Sequence, residues 1–175
     1  MDVGATICVP RAPRCLLCPL NRLCTARKQG LQEELPLRPA RRAVPHHTVT
    51  AGVIWRRGRV LIAQRPPDKL LGGLWEFPGG KQEPGESLPE CLARELREEL
   101  DIAVDIGRPL IAIDHTYTHF SITLHVFVCR HRAGAPRALQ VAGWKWVTPA
   151  ELAGYALSRA DRRVADLVAR GEAGP

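Results

Sequence analysis

GGKQEPGESLPECLARELREEL, residues 79–100, is the stretch on which the reading of this chain turns. Ser87 followed by Glu90 makes a capping box, and Pro89 falls in the first turn, where a missing N–H costs little. A helix is therefore predicted to start here. Leu88, Cys91, Leu92, Leu96 and Leu100 recur at helical spacing and form the stripe it must bury. On the same helix Glu95, Glu98 and Glu99 stand at i, i+3 and i+4, so their carboxylates project to one side, flanked by Arg94 and Arg97. Two readings follow. The face is solvated, or it is a set of oxygen ligands for a hard divalent cation, Mg²⁺ or Mn²⁺. Gly79 and Gly80 let the preceding loop come close enough to add a main-chain carbonyl.

Upstream, TVTAGVIWRRGRVLIAQRP (48–66) holds two β-branched runs around RRGR, a hairpin with Gly58 at its turn, and Pro66 and Pro67 end the second strand. LLGGLWEFPGG (70–80) is a glycine-punctuated loop around a short strand. Downstream, PLIAIDHTYTHFSITLHVFVCR (109–130) is predicted to form two hairpin strands, and WKWV (144–147) another. Thr148-Pro149 starts a short helix through Leu152, and ADRRVADLVAR (160–170) forms the last helix. This irregular alternation predicts an α/β (α+β) domain, a mixed sheet with helices on its faces.

A different chemistry sits near the N-terminus. Cys8, Cys15, Cys18 and Cys24 are spaced C-x6-C-x2-C-x5-C, close enough to converge on one metal centre. Four thiolates saturate either a tetrahedral zinc or a cubane iron–sulfur cluster. Cys91 and Cys129 lie in apolar surroundings and are expected to be buried. Residues 1–48 carry eight Lys/Arg against three Asp/Glu, whereas the other 127 carry seventeen against fifteen. The basic end suits a polyanion such as DNA as well as it suits a solubilising tail. Residues 25–48 mix basic residues with prolines and no sustained period, as a linker does. The chain has no apolar run long enough to span a membrane and no apolar secretory signal, so a cytoplasmic protein is expected.

The segment MDVGATICVPRAPRCLLCPLNRLC (1–24) resembles the end of the catalytic domain of MutY-type adenine DNA glycosylases, where this cysteine spacing holds a 4Fe-4S cluster. The resemblance covers about the first 30 residues. The glutamate and aspartate of that family's base excision would lie upstream of it, so no base excision is expected of this chain, which looks like the tail of a longer protein. The pattern G-x5-E-x7-R-E-L-x-E-E-x-D-I, from Gly80 to Ile102, resembles the Nudix box of MutT-type pyrophosphohydrolases. That likeness extends over roughly residues 48–171 and implies an α/β/α sandwich. It divides the chain into a cysteine-rich helical segment at 1–30, a linker at 31–47 and a Nudix domain at 48–173.

The MutT resemblance also assigns roles. Mg²⁺ is held by the Gly79 carbonyl and by Glu95, Glu98 and Glu99, with Glu95 at the attacking water. Arg94 pairs with the box carboxylates, and Glu86 braces the loop–helix junction. Arg65 matches a base- or phosphate-contacting arginine. Glu76, Phe77, Pro78 and Gly79 match the substrate-lining segment, although Phe77 reads equally well as core. Asp161 stands where the family reads the purine edge of 8-oxoguanine, with an exposed helix-cap aspartate as the plainer alternative. Two positions depart from the pattern: the family's glycine near the end of the box is Asp101, and an acid before the last strand is Gln140. The implied function is hydrolysis of an 8-oxo-dGTP-like nucleotide to monophosphate and pyrophosphate, with CTP as the competing substrate. The rival implication is a non-catalytic module that reads 8-oxoguanine in DNA beside a glycosylase domain. HTYTHF (115–120), with Tyr117, Thr118 and His119, resembles that family's lesion-reading loop, or is a plain hairpin turn.

Overall fold

The structure, a computed structural model, describes residues 2–35 and 44–174. The chain divides into two compact units, Met1–Ala43 and Val44–Pro175. Part of the expected linker, residues 36–43, lies outside the described residues.

The first unit is built from short turns. Helix α1 (Val3–Thr6) is capped by Asp2, whose carboxylate accepts the Gly4 N–H at 3.2 Å. A 3₁₀ turn spans Cys15–Leu17, and α2 covers Thr25–Lys28.

In the second unit, β1 (His46–Arg56) and β2 (Arg59–Gln64) form the expected hairpin. Its two-residue turn places both Arg57 (φ 50°) and Gly58 (φ 73°) in the left-handed region, the twist that closes tight hairpins. The short β3 (Trp75–Glu76) follows, then α3 (Leu88–Leu100). The hairpin of β4 (Ala103–Thr116) and β5 (Ser121–Ala133) precedes β6 (Gly143–Val147), a 3₁₀ turn (Pro149–Gly154) and α4 (Arg159–Ala169). Strand β4 begins six residues before the apolar run that marks it in the sequence. Pro109 lies inside it at a register shift, tolerable because β4 is an edge strand.

The sheet runs β3-β2-β1-β5-β4, with β6 on β2. The β1–β5 pair is parallel and the others antiparallel, so the sheet is mixed. Alternation along β2 distributes its side chains to two cores. Val60 and Ile62 pack with Leu152 and with Val164 and Val168 of α4. Leu61 and Ala63 pack with Leu92, Leu96 and Leu100 of α3 on the other face. Each of those three leucines is fully buried, contributing roughly 1.5–3 kcal/mol. The result is the expected α/β/α sandwich. Among the described residues, no helix is long and apolar enough to cross a membrane.

Candidate active site and cysteine cavity

The loop before α3 is zipped to β1. Gly52 N–H donates to the Pro78 carbonyl at 2.9 Å, Thr50 N–H to Gly80 at 2.8 Å, and Gln82 N–H to Thr48 at 2.9 Å. This closeness makes both glycines necessary. A Cβ on Gly79 would sit 2.2 Å from the Thr50 carbonyl oxygen, and its φ of 152° disfavours a side chain. A Cβ on Gly80 would sit 2.2 Å from the Glu95 carboxyl carbon. One glycine admits a strand, and the other admits a carboxylate.

Helix α3 carries its capping box and presents the acidic face as its spacing implies. Arg94 is the hub of that face. Its guanidinium grips both Glu86 oxygens (3.1 and 2.8 Å), Glu95 at 3.0 Å and Glu98 at 3.3 Å, and donates to the Lys81 carbonyl at 3.1 Å. The Arg94 hydrogen bonds and the Glu83 N–H hold Glu86 down at about 2. Burial pushes Glu95 up despite Arg94. Glu99 is pushed up to about 8, first by burial and then by the neighbouring Glu76 and Glu95 carboxylates. Its Oε2 is buried without a hydrogen-bond partner. Glu98 is 47% exposed.

Among the described residues, no three donors stand close enough as placed to grip one ion. Arg94 draws Glu95 and Glu98 to itself, while Glu99 points into a buried position. The donor set nonetheless fits a hard cation. An orphaned buried carboxylate oxygen, beside a second carboxylate destabilised in its charged form, is what a divalent metal would relieve.

Of these groups Glu95 and Glu99 open onto a cavity of about 300 Å³, whereas Glu86, Arg94 and Glu98 lie off its wall. Gly79, Gly80, Lys81, Glu95 and Glu99 share its wall with Arg65, Glu76, Phe77, Tyr117 and Asp161. Arg65 is already engaged. It pairs with Glu76 and donates Nε–H to the Leu70 carbonyl at 2.8 Å, bracing the 66–74 loop. Burial nevertheless lifts Glu76 to about 7. Phe77 belongs both to the core and to the wall, so its two sequence readings coexist. Pro78 is buried and lies off the wall.

Asp161 is not an exposed cap. It is 8% exposed at the third position of α4, accepting the Ser158 hydroxyl at 2.6 Å and the Phe77 N–H at 3.1 Å. Ser158 is the actual N-cap. Tyr117 lines the cavity, stacked on Phe120 at 4.6 Å, whereas Thr118 and His119 are exposed and outside the wall. Gln140 is likewise exposed and outside it. Asp101 closes α3 in the left-handed conformation (φ 56°), the geometry its place at the end of the box predicts. Sequence reasoning missed Lys81, Leu70, Leu71 and Ser158. Of these, Lys81 carried a signal in its place directly after the glycine pair, and Ser158 in the Ser-x-x-Asp capping pattern it makes with Asp161.

In the first unit all four clustered cysteines line one cavity of about 290 Å³, walled also by Ile7, Val9, Pro13 and Leu35. Backbone bonds fold the chain around it: Cys18 N–H to Cys15, and Asn21 N–H to Cys18, at 3.2 and 3.0 Å. The thiols are free and ring a space without converging on one point.

The sequence profile of the NUDIX domain matches residues 50–167. The CTP pyrophosphohydrolase of Escherichia coli (strain K12) is 39% identical over 113 residues, covering 65% of this chain and 84% of that protein. The 8-oxo-dGTP diphosphatase of Proteus vulgaris is 43% identical over 81 residues, 46% of this chain and 72% of its own. The adenine DNA glycosylase of Homo sapiens aligns at 28% identity with 94% of this chain, which spans 39% of the human protein.

Proposed function

The chain belongs to the NUDIX domain family, and we propose that it is a Mg²⁺- or Mn²⁺-dependent pyrophosphohydrolase of nucleoside triphosphates, favouring 8-oxo-dGTP. The observation that carries this reading is the Glu99 carboxylate beside Glu95, whose Oε2 is buried and, among the described residues, has no hydrogen-bond partner, on the wall of a cavity that also holds Asp161. Glu95, Glu98, Glu99 and the Gly79 carbonyl would hold the metal. When bound, it neutralises phosphate charge in the ground state and the transition state. Arg94 keeps Glu95 and Glu98 on one side of α3 and ties them to Glu86 and the loop. Glu95 orients the attacking water and takes its proton. The water oxygen bonds to phosphorus as the diphosphate bridge breaks, giving nucleoside monophosphate and pyrophosphate. Asp161 accepts from the base edge, while Arg65 orders Glu76 and the loop at the rim.

The CTP pyrophosphohydrolase relative makes CTP the substrate to exclude. Initial rates of pyrophosphate release from 8-oxo-dGTP, dGTP and CTP decide it. We expect the largest kcat/KM for 8-oxo-dGTP; a preference for CTP would reassign the base site. A second reading, a non-catalytic reader of 8-oxoguanine in DNA working with a glycosylase domain, draws support from the human glycosylase alignment across nearly the whole chain. No turnover of any nucleotide, with selective binding of duplex containing 8-oxoguanine opposite adenine, would favour it. To Cys8, Cys15, Cys18 and Cys24 we assign a 4Fe-4S cluster, with zinc as the alternative.

A further inference from the structure

We propose that Thr50 and Cys91 are positioning residues, a buried hydroxyl and thiol that set how closely the Gly79–Gly80 loop meets Glu95. The proposal rests on the metal reading of the acidic face of α3. Thr50 of β1 is 1% exposed and Cys91 of α3 is fully buried, and the reaction as described uses neither side chain.

A polar group taken out of water needs a partner. Thr50 Oγ1 lies 3.3 Å from Cys91 Sγ and 3.4 Å from the Gly80 carbonyl oxygen. Cys91 Sγ lies 3.7 Å from that same oxygen. One arrangement satisfies both donors: the Thr50 hydroxyl donates to the Cys91 sulfur, and the Cys91 thiol donates to the Gly80 carbonyl. Burial pushes the thiol up to about 11, so it keeps the proton it donates. The Thr50 N–H donates to the same carbonyl at 2.8 Å. Strand and helix therefore hold the Gly80 carbonyl between them.

Helical spacing carries this hold to the chemistry. Cys91 and Glu95 are four residues apart on α3, so both face the loop. Cys91 ties the Gly80 carbonyl, while the Glu95 carboxylate lies so close to Gly80 that a Cβ there would sit 2.2 Å from its carboxyl carbon. One turn further along the loop, Arg94 donates to the Lys81 carbonyl at 3.1 Å. Releasing the Cys91 tie lets the loop ride away from α3, and Glu95 then loses the wall that fixes it. Apolar side chains of the same size would fill this part of the core equally well, but would aim no donor at the loop.

The test reads metal affinity and turnover separately. Mn²⁺ binding to the full chain is titrated by electron paramagnetic resonance without nucleotide, and kcat and KM for 8-oxo-dGTP are measured on the same samples. Wild type, Thr50→Val, Cys91→Ala and the double variant are compared with Thr50→Ser and Cys91→Ser, which keep a donor at each place. Valine suits a strand and alanine a helix, so the folds should survive, and thermal melts check this. Each of Thr50→Val and Cys91→Ala should weaken Mn²⁺ binding and lower kcat by roughly threefold. The double variant should lose roughly tenfold or more in both. KM should change by less than about twofold, because Arg65 and Asp161 are untouched. The serine variants should keep most of the wild-type values. Wild-type Mn²⁺ affinity and kcat in Thr50→Val and Cys91→Ala, with or without a lower Tm, overturn the proposal and leave the pair as packing. Serine variants as impaired as the valine and alanine ones overturn it too. A wild type that neither binds Mn²⁺ nor hydrolyses nucleotide overturns the metal reading and this inference with it.

Discussion

Replacing Gly80 with alanine should separate catalysis from stability. The new Cβ would lie 2.2 Å from the Glu95 carboxyl carbon and 2.4 Å from each of its oxygens. Ordinary carbon contacts begin near 3.5 Å, so the carboxylate must retreat by about 1.3 Å. It can do so, because it ends a flexible side chain, and the fold should lose less than about 1 kcal/mol. Its position is what the reaction needs, and a misplacement of about 1 Å costs on the order of 10²-fold, about 2.7 kcal/mol in the barrier. Gly79→Ala is the contrast. There the clash is with backbone, the Thr50 carbonyl at 2.2 Å and the Ala51 Cα at 2.8 Å, which cannot step aside. A loss of about 3 kcal/mol in stability is expected. Magnesium-dependent pyrophosphate release and thermal melts read the two effects. Full activity in Gly80→Ala, or a melt as low as that of Gly79→Ala, would refute the reasoning.

Three further outcomes follow from other parts of the molecule. Burial and neighbouring carboxylates lift Glu76 to about 7 and Glu99 to about 8, from an ordinary 4.5. A raised carboxyl stabilises the fold in its protonated form, fully below its unfolded pKa and no longer above its folded one. Metal-free protein should therefore lose Tm as pH rises from about 4.5 to about 8, Glu99→Gln should flatten the fall, and Mg²⁺ should oppose it; a Tm flat across that window contradicts the assignment. Asp101→Gly removes left-handed strain and loses only the exposed Arg137 pair, so urea melts should show a gain of about 0.5–1 kcal/mol with activity unchanged. Anaerobic reconstitution with iron and sulfide should give a brown protein with about four irons, and Cys18→Ser should lower that count without changing nucleotide hydrolysis. A colourless protein that takes up one zinc per chain would replace the cluster.

What could be read beforehand was local. The capping box, the leucine stripe and the three facing glutamates lie between Ser87 and Leu100, and helical geometry alone relates them. The burial of Asp161 was not legible, because it depends on the Phe77 N–H, 84 positions away in the chain. Nor was the engagement of Arg65, whose partners come from a loop and a two-residue strand that only the sheet positions. The parallel β1–β5 pair joins His46 to Ser121, a register that no local pattern encodes. The early start of β4 is masked by bulges that break its alternation.

The central claim is that the acidic face of α3 is a metal site for phosphoryl chemistry. The most direct measurement is steady-state release of pyrophosphate from 8-oxo-dGTP, with and without Mg²⁺, by wild type, Glu98→Gln and Glu99→Gln. Turnover should require Mg²⁺ and collapse in both variants while their folds persist. Turnover that survives both substitutions, or proceeds without a divalent cation, would contradict it.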